Sequence, residues 1–253
     1  MIEDGDSSGA VPTPDTFLSL VFPAYNEAKR IGDTLQKTQD YLNTLNRTWE
    51  IVVVDDGSAD HTAEVARKAV ENKENITVIR NEANRGKGHA LKTGMCTAKG
   101  QYIGFMDADN KTDITCTEEA LKHLEQGSDV VIGSRKMSAS QIQHQPKLYR
   151  RLASQIFNRG LSLIIPDLSR YEDTQCGFKF FTQKAAHDIF SRLIVERFMF
   201  DAEVLFLAHR LQYQVHEMPV RWASDHDTRT TFIEGVVCNT YDLFRIRKTH
   251  RNL

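Results

Sequence analysis

Asp107 and Asp109 are the two residues whose spacing most directly suggests chemistry. They stand two positions apart just after an apolar run, so one turn can direct both carboxylates at a single cation. Carboxylate oxygens suit Mg²⁺ and Mn²⁺, and two such ligands leave coordination positions open for a diphosphate. In an isolated pair of this kind, the first aspartate more often caps a turn and the second is solvated. The pair therefore indicates a metal site only when neighbouring segments support it.

Three other polar segments accompany this pair. Residues 23–27 read Pro-Ala-Tyr-Asn-Glu and residues 55–58 read Asp-Asp-Gly-Ser, each after an apolar run. Residues 84–90 (Asn-Arg-Gly-Lys-Gly-His-Ala) form a basic turn entering a helical pattern, and such turns bind anions through backbone N–H groups. The turn is not the dinucleotide-binding pattern, because Leu91 stands at the third glycine position, and it is not a Walker A loop. Each segment alone is typical of ordinary turns, but together and in this order they indicate a binding site.

The elements that must position these segments are visible in the hydrophobic pattern. Apolar runs at residues 18–22, 51–54, 76–79, 102–106 and 130–132 alternate with helical patterns at 28–45, 63–71 and 90–98. This alternation predicts an α/β fold with a mostly parallel sheet flanked by helices. The carboxyl ends of parallel strands share one edge, where open α/β folds bind ligands. The polar segments are therefore expected to meet there.

The second half of the chain is less regular. Residues 138–146 predict a loop, followed by a helix at 148–165 that Pro166 ends. A helix at 201–211, a strand at 214–217 and a terminal helix at 232–247 complete a mixed C-terminal half. We expect residues 1–16 to form a disordered acidic tail and residues 17–253 a single domain, with a basic amphipathic helix near 232–251.

Composition excludes several classes of protein. The 253 residues carry a net charge of -2, so there is no global positive field for a nucleic-acid backbone, and no nucleic acid partner is expected. No run approaches the roughly 18 apolar residues of a membrane-spanning helix, and the start resembles no signal or transit peptide. The four cysteines form neither a zinc pattern nor a disulfide framework, which favours a reduced, cytoplasmic setting.

Taken together, the motifs resemble those of the inverting family 2 glycosyltransferases with a Rossmann-like GT-A fold, and within them the polyprenyl-phosphate glycosyltransferases. The resemblance rests on the segments above, with Gly-Ser-Arg at residues 133–135, Asp-Thr-Gln-Cys-Gly-Phe-Lys at 173–179, and residues 195–203. The last two segments are most similar to dolichyl-phosphate β-glucosyltransferases, and the mannosyltransferases are near relatives. The resemblance extends over roughly residues 18–244.

This resemblance implies inverting transfer of a hexose to a polyprenyl or dolichyl phosphate, with glucose from UDP-glucose favoured and Mg²⁺ or Mn²⁺ as cofactor. Two alternatives stay open: GDP-mannose as the donor, and a sugar or other hydroxyl group as the acceptor. A nucleotidyltransferase is disfavoured because the first strand ends in Pro-Ala-Tyr-Asn-Glu rather than in a glycine-rich signature. A non-catalytic binding protein is disfavoured because Asp109 and Arg135 are both present.

Carried over position by position, the resemblance assigns the site residues. The residues expected to bind the donor are Pro23, Ala24, Tyr25, Glu27, Asp55, Asp56, Lys87, Asp107, Ala108 and Asp109. Those expected at the acceptor phosphate are Arg135, Arg150, Arg151, Gln175, Lys179 and Arg229. The catalytic set is Asp109, Arg135, Asp173 and Asp201, and the metal ligands are Asp107 and Asp109. Lys111 departs from the pattern, because mannosyltransferases can offer a further metal-side ligand there.

The acceptor decides what the catalysis requires. A phosphate monoester has a second pKa of about 6 and is already largely anionic at neutral pH, whereas a hydroxyl acceptor needs a base. We therefore expect Arg135, as counter-charge for the phosphate, to matter more than any general base. The alternative for Asp173 or Asp201 is a buried ion pair with Arg150, Arg151 or Arg197.

A lipid acceptor implies a location at a membrane. The expected location is peripheral, on the cytosolic face of a membrane surface, and a membrane-anchoring partner protein would replace the N-terminal membrane helix of the eukaryotic glucosyltransferases. The basic end of the last helix is usually just a solvated terminus, but with its apolar residues it could lie on an anionic membrane. The phenylalanines at 178, 180, 181, 198 and 200 are expected in the core rather than in a lipid groove.

Overall fold

A computed structural model describes residues 15–71, 73–143, 159–223, 232–251 and 253. Its centre is a seven-stranded sheet with the order β3-β2-β1-β4-β7-β5-β8, beside a two-stranded sheet of β6 and β9. The strands are β1 Leu18–Ala24, β2 Trp49–Asp55, β3 Ile76–Arg80, β4 Tyr102–Met106, β5 Val130–Ser134, β6 Gln141–Ile142, β7 Phe178–Thr182, β8 Val215–Pro219 and β9 Arg221–Trp222. The α/β fold class predicted from the hydrophobic pattern is confirmed.

Helices cover both faces of the large sheet. They are α1 Ile31–Thr44, α2 Thr62–Ala69, α3 Lys87–Thr97, α4 Cys116–Glu125, α5 Gln183–Arg192, α6 Phe200–Arg210 and α7 Phe232–Thr249, with a 3-10 helix at Pro166–Arg170. Residues 159–164 are also helical, which agrees with the end of the helix predicted before Pro166. The start of that helix, the predicted tail at 1–14, and residues 144–146 of the predicted loop lie outside the described residues.

The first four strands are parallel and form the expected βαβ units. β1 lies between β2 and β4, and β2 pairs with β3, all in parallel register. In this register Ala24 at the end of β1 lies opposite Asp55 at the end of β2. The loops that follow the two strands therefore start side by side, as the alternating pattern predicts.

The strand β7 was not predicted, and it sits in the middle of the sheet. It runs antiparallel to both of its neighbours, β4 and β5. Its residues Phe178, Lys179, Phe180 and Phe181 are all fully buried. A strand buried on both faces has no polar and apolar alternation, so its sequence indicates core without indicating a strand. The expectation of core is confirmed for this strand but wrong for Phe198, whose surface is 54% exposed.

Two apolar layers fix the helices to the sheet. One cluster packs α3, α5, α6 and α7 against one face, and it includes Phe105, Phe181 and Phe190 with ring centroids 5.4–6.3 Å apart. The other cluster packs α1, α2 and α4 against the opposite face. Burial of both faces explains why the parallel strands read as continuous apolar runs.

A buried carboxylate joins the last helix to the interior. Glu203 on α6 accepts hydrogen bonds from the backbone N–H groups of Ile194 (2.9 Å) and Val195 (2.8 Å). Its Oε1 also lies 2.7 Å from Nε2 of His250, which is buried just beyond α7. These contacts satisfy a fully buried acidic group and connect α6, α7 and the segment before α6. Within the described part of the chain, none of the helices has the length and apolar character needed to cross a membrane.

The buried phenylalanine of β7 provides a test of this packing. We expect Phe181→Ala to lower the free energy of unfolding by about 3–5 kcal/mol, because it opens a cavity between β7 and α5. Phe198→Ala, at an exposed position, is the matched control and should change it by less than about 0.5 kcal/mol. Urea unfolding followed by circular dichroism measures both values, and equal effects of the two substitutions would contradict the assigned core.

Candidate active site

The predicted segments meet at the carboxyl edge of the parallel strands. Because β7 is antiparallel, it begins at the edge where β4 ends, and Phe178 pairs with Met106 there. The turn that precedes β7 therefore lies beside Asp107, whose backbone N–H donates to the Gly177 carbonyl at 3.2 Å. A Cβ on Gly177 would lie only 2.1 Å from Oδ2 of Asp107, so a larger residue at this position would displace the Asp107 carboxylate. Residues 173–177 and 107–109 thus form one surface.

The loops after β1 and β2 are connected by side-chain hydrogen bonds. The backbone N–H of Asn26 donates to Ser58 Oγ at 2.9 Å, and Asn26 Oδ1 accepts from the Ala59 N–H at 3.0 Å. Asn26 adopts a left-handed backbone with φ of 54°, which asparagine tolerates better than most residues. Of the predicted donor residues here, Pro23 and Ala24 are buried in β1, whereas Tyr25 is exposed. The sheet edge therefore places Tyr25 beside the Asp55 loop.

Asp55 ends β2 with one unsatisfied oxygen atom. Its Oδ1 accepts hydrogen bonds from the N–H and Oγ of Ser58, and its Oδ2 lies 3.4 Å from Nε of Arg80. The Oδ2 atom is buried, and although it forms this ion pair with Arg80 it accepts no hydrogen bond from the described residues. A buried acceptor without a donor costs free energy, so a ligand N–H at this point would be stabilising. This arrangement is compatible with the predicted contact between Asp55 and a nucleobase.

Asp56 is placed differently, beneath the basic turn. Its carboxylate accepts hydrogen bonds of 2.6–3.2 Å from Asn81 Nδ2, Asn84 Nδ2 and the backbone N–H groups of Arg85 and Gly86. Gly86 has a φ of 116°, and a Cβ there would lie 2.5 Å from the Glu196 carbonyl. Both oxygens of Asp56 are therefore engaged in ordering the basic turn, which itself packs against the segment before α6.

Lysine side chains pair with both aspartates of the Asp-Ala-Asp motif. Lys87 opens α3 and forms an ion pair with Asp107, and Lys111 Nζ lies 2.8 Å from Asp109 Oδ2. Burial disfavours the charged form of Lys87, but the carboxylates of Asp107 and Asp201 outweigh it and raise the pKa of Lys87 above its ordinary value. The charge of Lys87 is therefore secured at the edge where a diphosphate is expected.

Among the described residues, two protein ligands, Asp107 and Asp109, are available to the metal predicted at this motif. Among the described residues, no group of three His, Cys, Asp or Glu side chains is arranged to hold a metal ion. Asp107 and Asp109 supply hard oxygen donors that fit Mg²⁺ or Mn²⁺, provided that other ligands complete the coordination. The donor set therefore fits a cation that is shared with a diphosphate, not one held by the protein alone.

Arg135 and Asp173 form a bidentate ion pair. Arg135 Nε lies 2.6 Å from Asp173 Oδ2, and Nη2 lies 2.9 Å from Oδ1. Burial opposes ionisation of Asp173, but the hydrogen bonds and charge of Arg135 outweigh it and lower the pKa of Asp173 to about 2. The guanidinium is partly exposed and lies 5.6 Å from the Trp222 ring centroid. Two of its nitrogens thus fix its orientation, and 30% of the side-chain surface stays exposed.

A second ion pair, between Lys179 and Asp201, lies inside the protein. Lys179 is fully buried, and its Nζ donates to Asp201 Oδ1 and, at 2.7 Å, to the Cys176 carbonyl. Burial raises the pKa of Asp201 above its ordinary value, against the lowering effect of Lys179 and Lys87. The pair joins β7 to the start of α6. An acceptor phosphate would reach Lys179 only if this pair opened, which differs from the direct contact predicted for Lys179.

The remaining predicted residues divide into two groups. Arg150, Arg151 and Arg229 lie outside the described residues. Gln175 is half-buried in the turn before β7, and its Nε2 is buried without a hydrogen-bond acceptor among the described residues. Ala108 is buried, and its carbonyl accepts a hydrogen bond of 2.8 Å from Thr34 Oγ1, which anchors the Asp-Ala-Asp turn to α1.

Sequence reasoning missed Glu217, which holds the turn before β7 in place. Its two carboxylate oxygens accept hydrogen bonds from the backbone N–H groups of Glu172 (3.0 Å) and Asp173 (2.8 Å). The signal available in the sequence was a glutamate at the end of the strand predicted at residues 214–217, because glutamate is depleted in strands. Glu217 on β8 therefore holds the backbone of Asp173, and Arg135 holds its side chain.

The Arg135–Asp173 pair predicts a pH dependence of stability. The folded pKa of Asp173, about 2, lies below the ordinary value of 3.8, so the pair contributes about 2 kcal/mol above pH 3.8 and loses it as the pH falls towards 2. We expect Asp173→Asn to lower the free energy of unfolding at neutral pH and to show a smaller decrease than the parent protein between pH 4 and pH 2. Urea unfolding across this range measures both. Parallel pH curves for the two proteins would contradict the assignment.

Solved structures resemble this chain at the level of the fold. A crystal structure of glucosyl-3-phosphoglycerate synthase from Mycobacterium tuberculosis, in complex with Mn²⁺, uridine diphosphate and phosphoglyceric acid, matches with a TM-score of 0.68 at 16% identity, covering 94% of this chain and 79% of the other. A second crystal structure of the same synthase, with Mg²⁺ and uridine diphosphate, matches with a TM-score of 0.67. At this identity the similarity establishes the GT-A type of fold.

Sequence comparison identifies closer relatives. A dolichyl-phosphate β-glucosyltransferase of Trichomonas vaginalis is 35% identical over 250 residues, covering 94% of this chain and 75% of the relative. Those of Saccharomyces cerevisiae and Homo sapiens are each 34% identical, covering 93% and 83% of this chain and 75% and 68% of the relatives. The model of glycosyl transferase family 2 matches residues 19–190. The chain therefore belongs to glycosyltransferase family 2.

Proposed function

We propose that this chain transfers glucose from UDP-glucose to dolichyl phosphate or another polyprenyl phosphate, with inversion at the sugar C1. One observation carries the choice of acceptor: both candidate bases at the site are occupied by cations, Asp173 by Arg135 and Asp201 by Lys179. The pKa of Asp173, about 2, makes this carboxylate a poor base at neutral pH, and Asp201, whose pKa burial raises, is enclosed in its ion pair with Lys179. A phosphate acceptor needs no base, whereas a hydroxyl acceptor does.

The donor is proposed to lie along the ends of β1, β2 and β4. The buried Oδ2 of Asp55 would accept an N–H of the uracil base, and Tyr25 and Glu27 would flank the nucleotide. Lys87 would contact the diphosphate, because its ammonium is held at the same edge by Asp107. Asp56 would act indirectly, by fixing the basic turn through its hydrogen bonds.

The divalent cation, Mg²⁺ or Mn²⁺, would be held by Asp107 and Asp109. When bound, it supplies positive charge that stabilises the leaving diphosphate. Lys87 and Lys111 already neutralise part of the charge of these carboxylates, so the protein provides a weak site that a diphosphate would complete. The protein's own contribution is to hold the two oxygen donors and the Lys87 ammonium on one side of the sugar.

The acceptor phosphate is proposed to bind the exposed part of the Arg135 side chain. A phosphate oxygen attacks the sugar C1, the new C1–O bond forms, and the bond between C1 and the donor diphosphate breaks with its electron pair leaving on the diphosphate. The main barrier is the approach of two anions, and the guanidinium offsets it with bidentate hydrogen bonds. Asp173 and Glu217 are then positioning residues, which orient Arg135 and its turn.

A lipid acceptor requires the enzyme to work at a membrane. We therefore include in the proposal a peripheral location on the cytosolic face of a membrane and a membrane-anchoring partner protein. The supporting feature is chemical, since a polyprenyl phosphate presents its phosphate at the bilayer surface and the proposed acceptor site is an open sheet edge.

The acceptor class is tested by UDP release from UDP-glucose. We expect release only when a short polyprenyl phosphate is present, and we expect Arg135→Gln to lower kcat by about 100-fold. Arg170→Gln, at an exposed arginine, is the matched control and should leave kcat unchanged. Release that requires a sugar alcohol instead of the lipid phosphate would favour the hydroxyl-acceptor function and require a catalytic base.

The Lys111–Asp109 pair predicts the strength of metal binding. Removing the lysine charge with Lys111→Met should tighten Mn²⁺ binding in the presence of UDP by about tenfold, because a cation would no longer repel the metal beside Asp109. Lys122→Met, at an exposed lysine on α4, is the control. Electron paramagnetic resonance of free Mn²⁺ measures both, and unchanged or weaker binding in Lys111→Met would contradict this role.

A further inference from the structure

A groove separate from the sheet edge lies between the 3-10 helix, the end of α6 and α7. Its volume is about 720 Å³. The apolar residues of its lining are Ile164, Ile165, Pro166, Phe206 and Phe244. The charged residues are Asp167 and four cations, which we call the basic rim: Arg210, Arg247, Lys248 and Arg251. Four cations beside one carboxylate around apolar surface favour an anionic amphiphile over a neutral or cationic ligand.

The groove is distinct from the proposed acceptor site. The helix α6 begins at the sheet edge, where Asp201 pairs with Lys179, and ends at Arg210 in the groove. Its 11 residues span roughly 15 Å at the usual rise per residue. A phosphate bound by the cations at the Arg210 end of α6 therefore lies apart from the sheet edge at the Asp201 end.

Contacts within the protein hold the basic rim in place. Arg247 Nη1 donates to the Ile164 carbonyl at 3.2 Å, and Arg210 Nη2 donates to the Arg251 carbonyl at 2.9 Å. The Oδ1 atom of Asp167 lies 3.2 Å from Nε2 of His209. The Nε of Arg210 is buried without an acceptor among the described residues. Hydrogen bonds thus hold the rim, and among the described residues no ion pair joins its cations to Asp167.

Apolar side chains beside the rim are exposed. On α7, Leu243 and Ile246 are buried against the protein, whereas Phe244 is 57% exposed and Tyr241 is 69% exposed. Leu163, next to the groove lining, is 82% exposed. A helix that buries one face in the protein and shows aromatic and basic residues on the other is typical of a segment at a bilayer surface.

We propose that this groove binds the headgroup of an anionic phospholipid and thereby seats the enzyme on a bilayer. Arg247, Lys248 and Arg251 contact the headgroup phosphate, and Phe244 and Leu163 enter the interfacial region of the bilayer. The proposal deepens the proposed function, because it names the lipid class and the surface that bring the enzyme to a membrane-bound acceptor. It concerns lipids other than the acceptor itself.

The test is flotation of the full chain with vesicles of phosphatidylcholine alone or with added phosphatidylserine. We expect binding only to the vesicles that contain phosphatidylserine, and we expect R247Q/K248Q to weaken it by about thirty-fold, from the loss of two cations at the surface. R67Q/K68Q is the matched control, since it removes two exposed basic residues from the last turn of α2 and changes the net charge equally. It should leave flotation nearly unchanged.

Two further measurements separate this proposal from the proposed function. Phe244→Gln should also weaken binding to the anionic vesicles, which a purely electrostatic attraction would not require. R247Q/K248Q should retain the parent thermal transition and the parent rate with a water-soluble short-chain polyprenyl phosphate. Equal losses for the two double variants, or flotation that does not depend on phosphatidylserine, would overturn the groove as a lipid site. A parent protein that floats but lacks transferase activity would overturn the proposed function alone.

Discussion

Charge compensation at one edge of the sheet is the constraint on which the site depends. Five aspartates from four segments of the chain converge there, and each is paired with a cation. The pairs are Asp55–Arg80, Asp107–Lys87, Asp109–Lys111, Asp173–Arg135 and Asp201–Lys179. Unpaired carboxylates at this density would be costly to bury, so the lysines and arginines are as much part of the architecture as the aspartates. A diphosphate and its cation can join such a site by exchanging partners with charges that are already in place.

The antiparallel strand β7 brings these charged residues together on a single surface. It places the turn at residues 173–177 next to Asp107, and the absence of a side chain at Gly177 leaves room for the Asp107 carboxylate. The same strand carries Lys179 into the interior, where its pair with Asp201 fixes the start of α6. One strand therefore sets the position of the acceptor side relative to the donor side. Loss of its packing would disturb both.

The pairing also explains why the chemistry is assigned to arginine rather than to a base. A carboxylate that holds a guanidinium through two hydrogen bonds is stabilised as an anion and resists protonation. Asp173 is thus suited to orienting Arg135, and the guanidinium supplies the positive charge that stabilises the acceptor phosphate. With a phosphate nucleophile that is already charged, positioning and charge neutralisation are the contributions that the protein must make.

The sequence alone determined the α/β class, the first five strands and the sheet edge at which the motifs meet, because these follow from local periodicity and from the geometry of parallel strands. It did not reveal β7, whose doubly buried sequence lacks alternation, or Glu217, whose role depends on contact with a distant turn. The partners of Asp173 and Asp201 were likewise decided by tertiary structure, since ion pairs form between residues that only folding brings together. The charged residues are visible in the sequence. The antiparallel insertion of β7 decides which of them face a ligand and which form ion pairs that stabilise the protein.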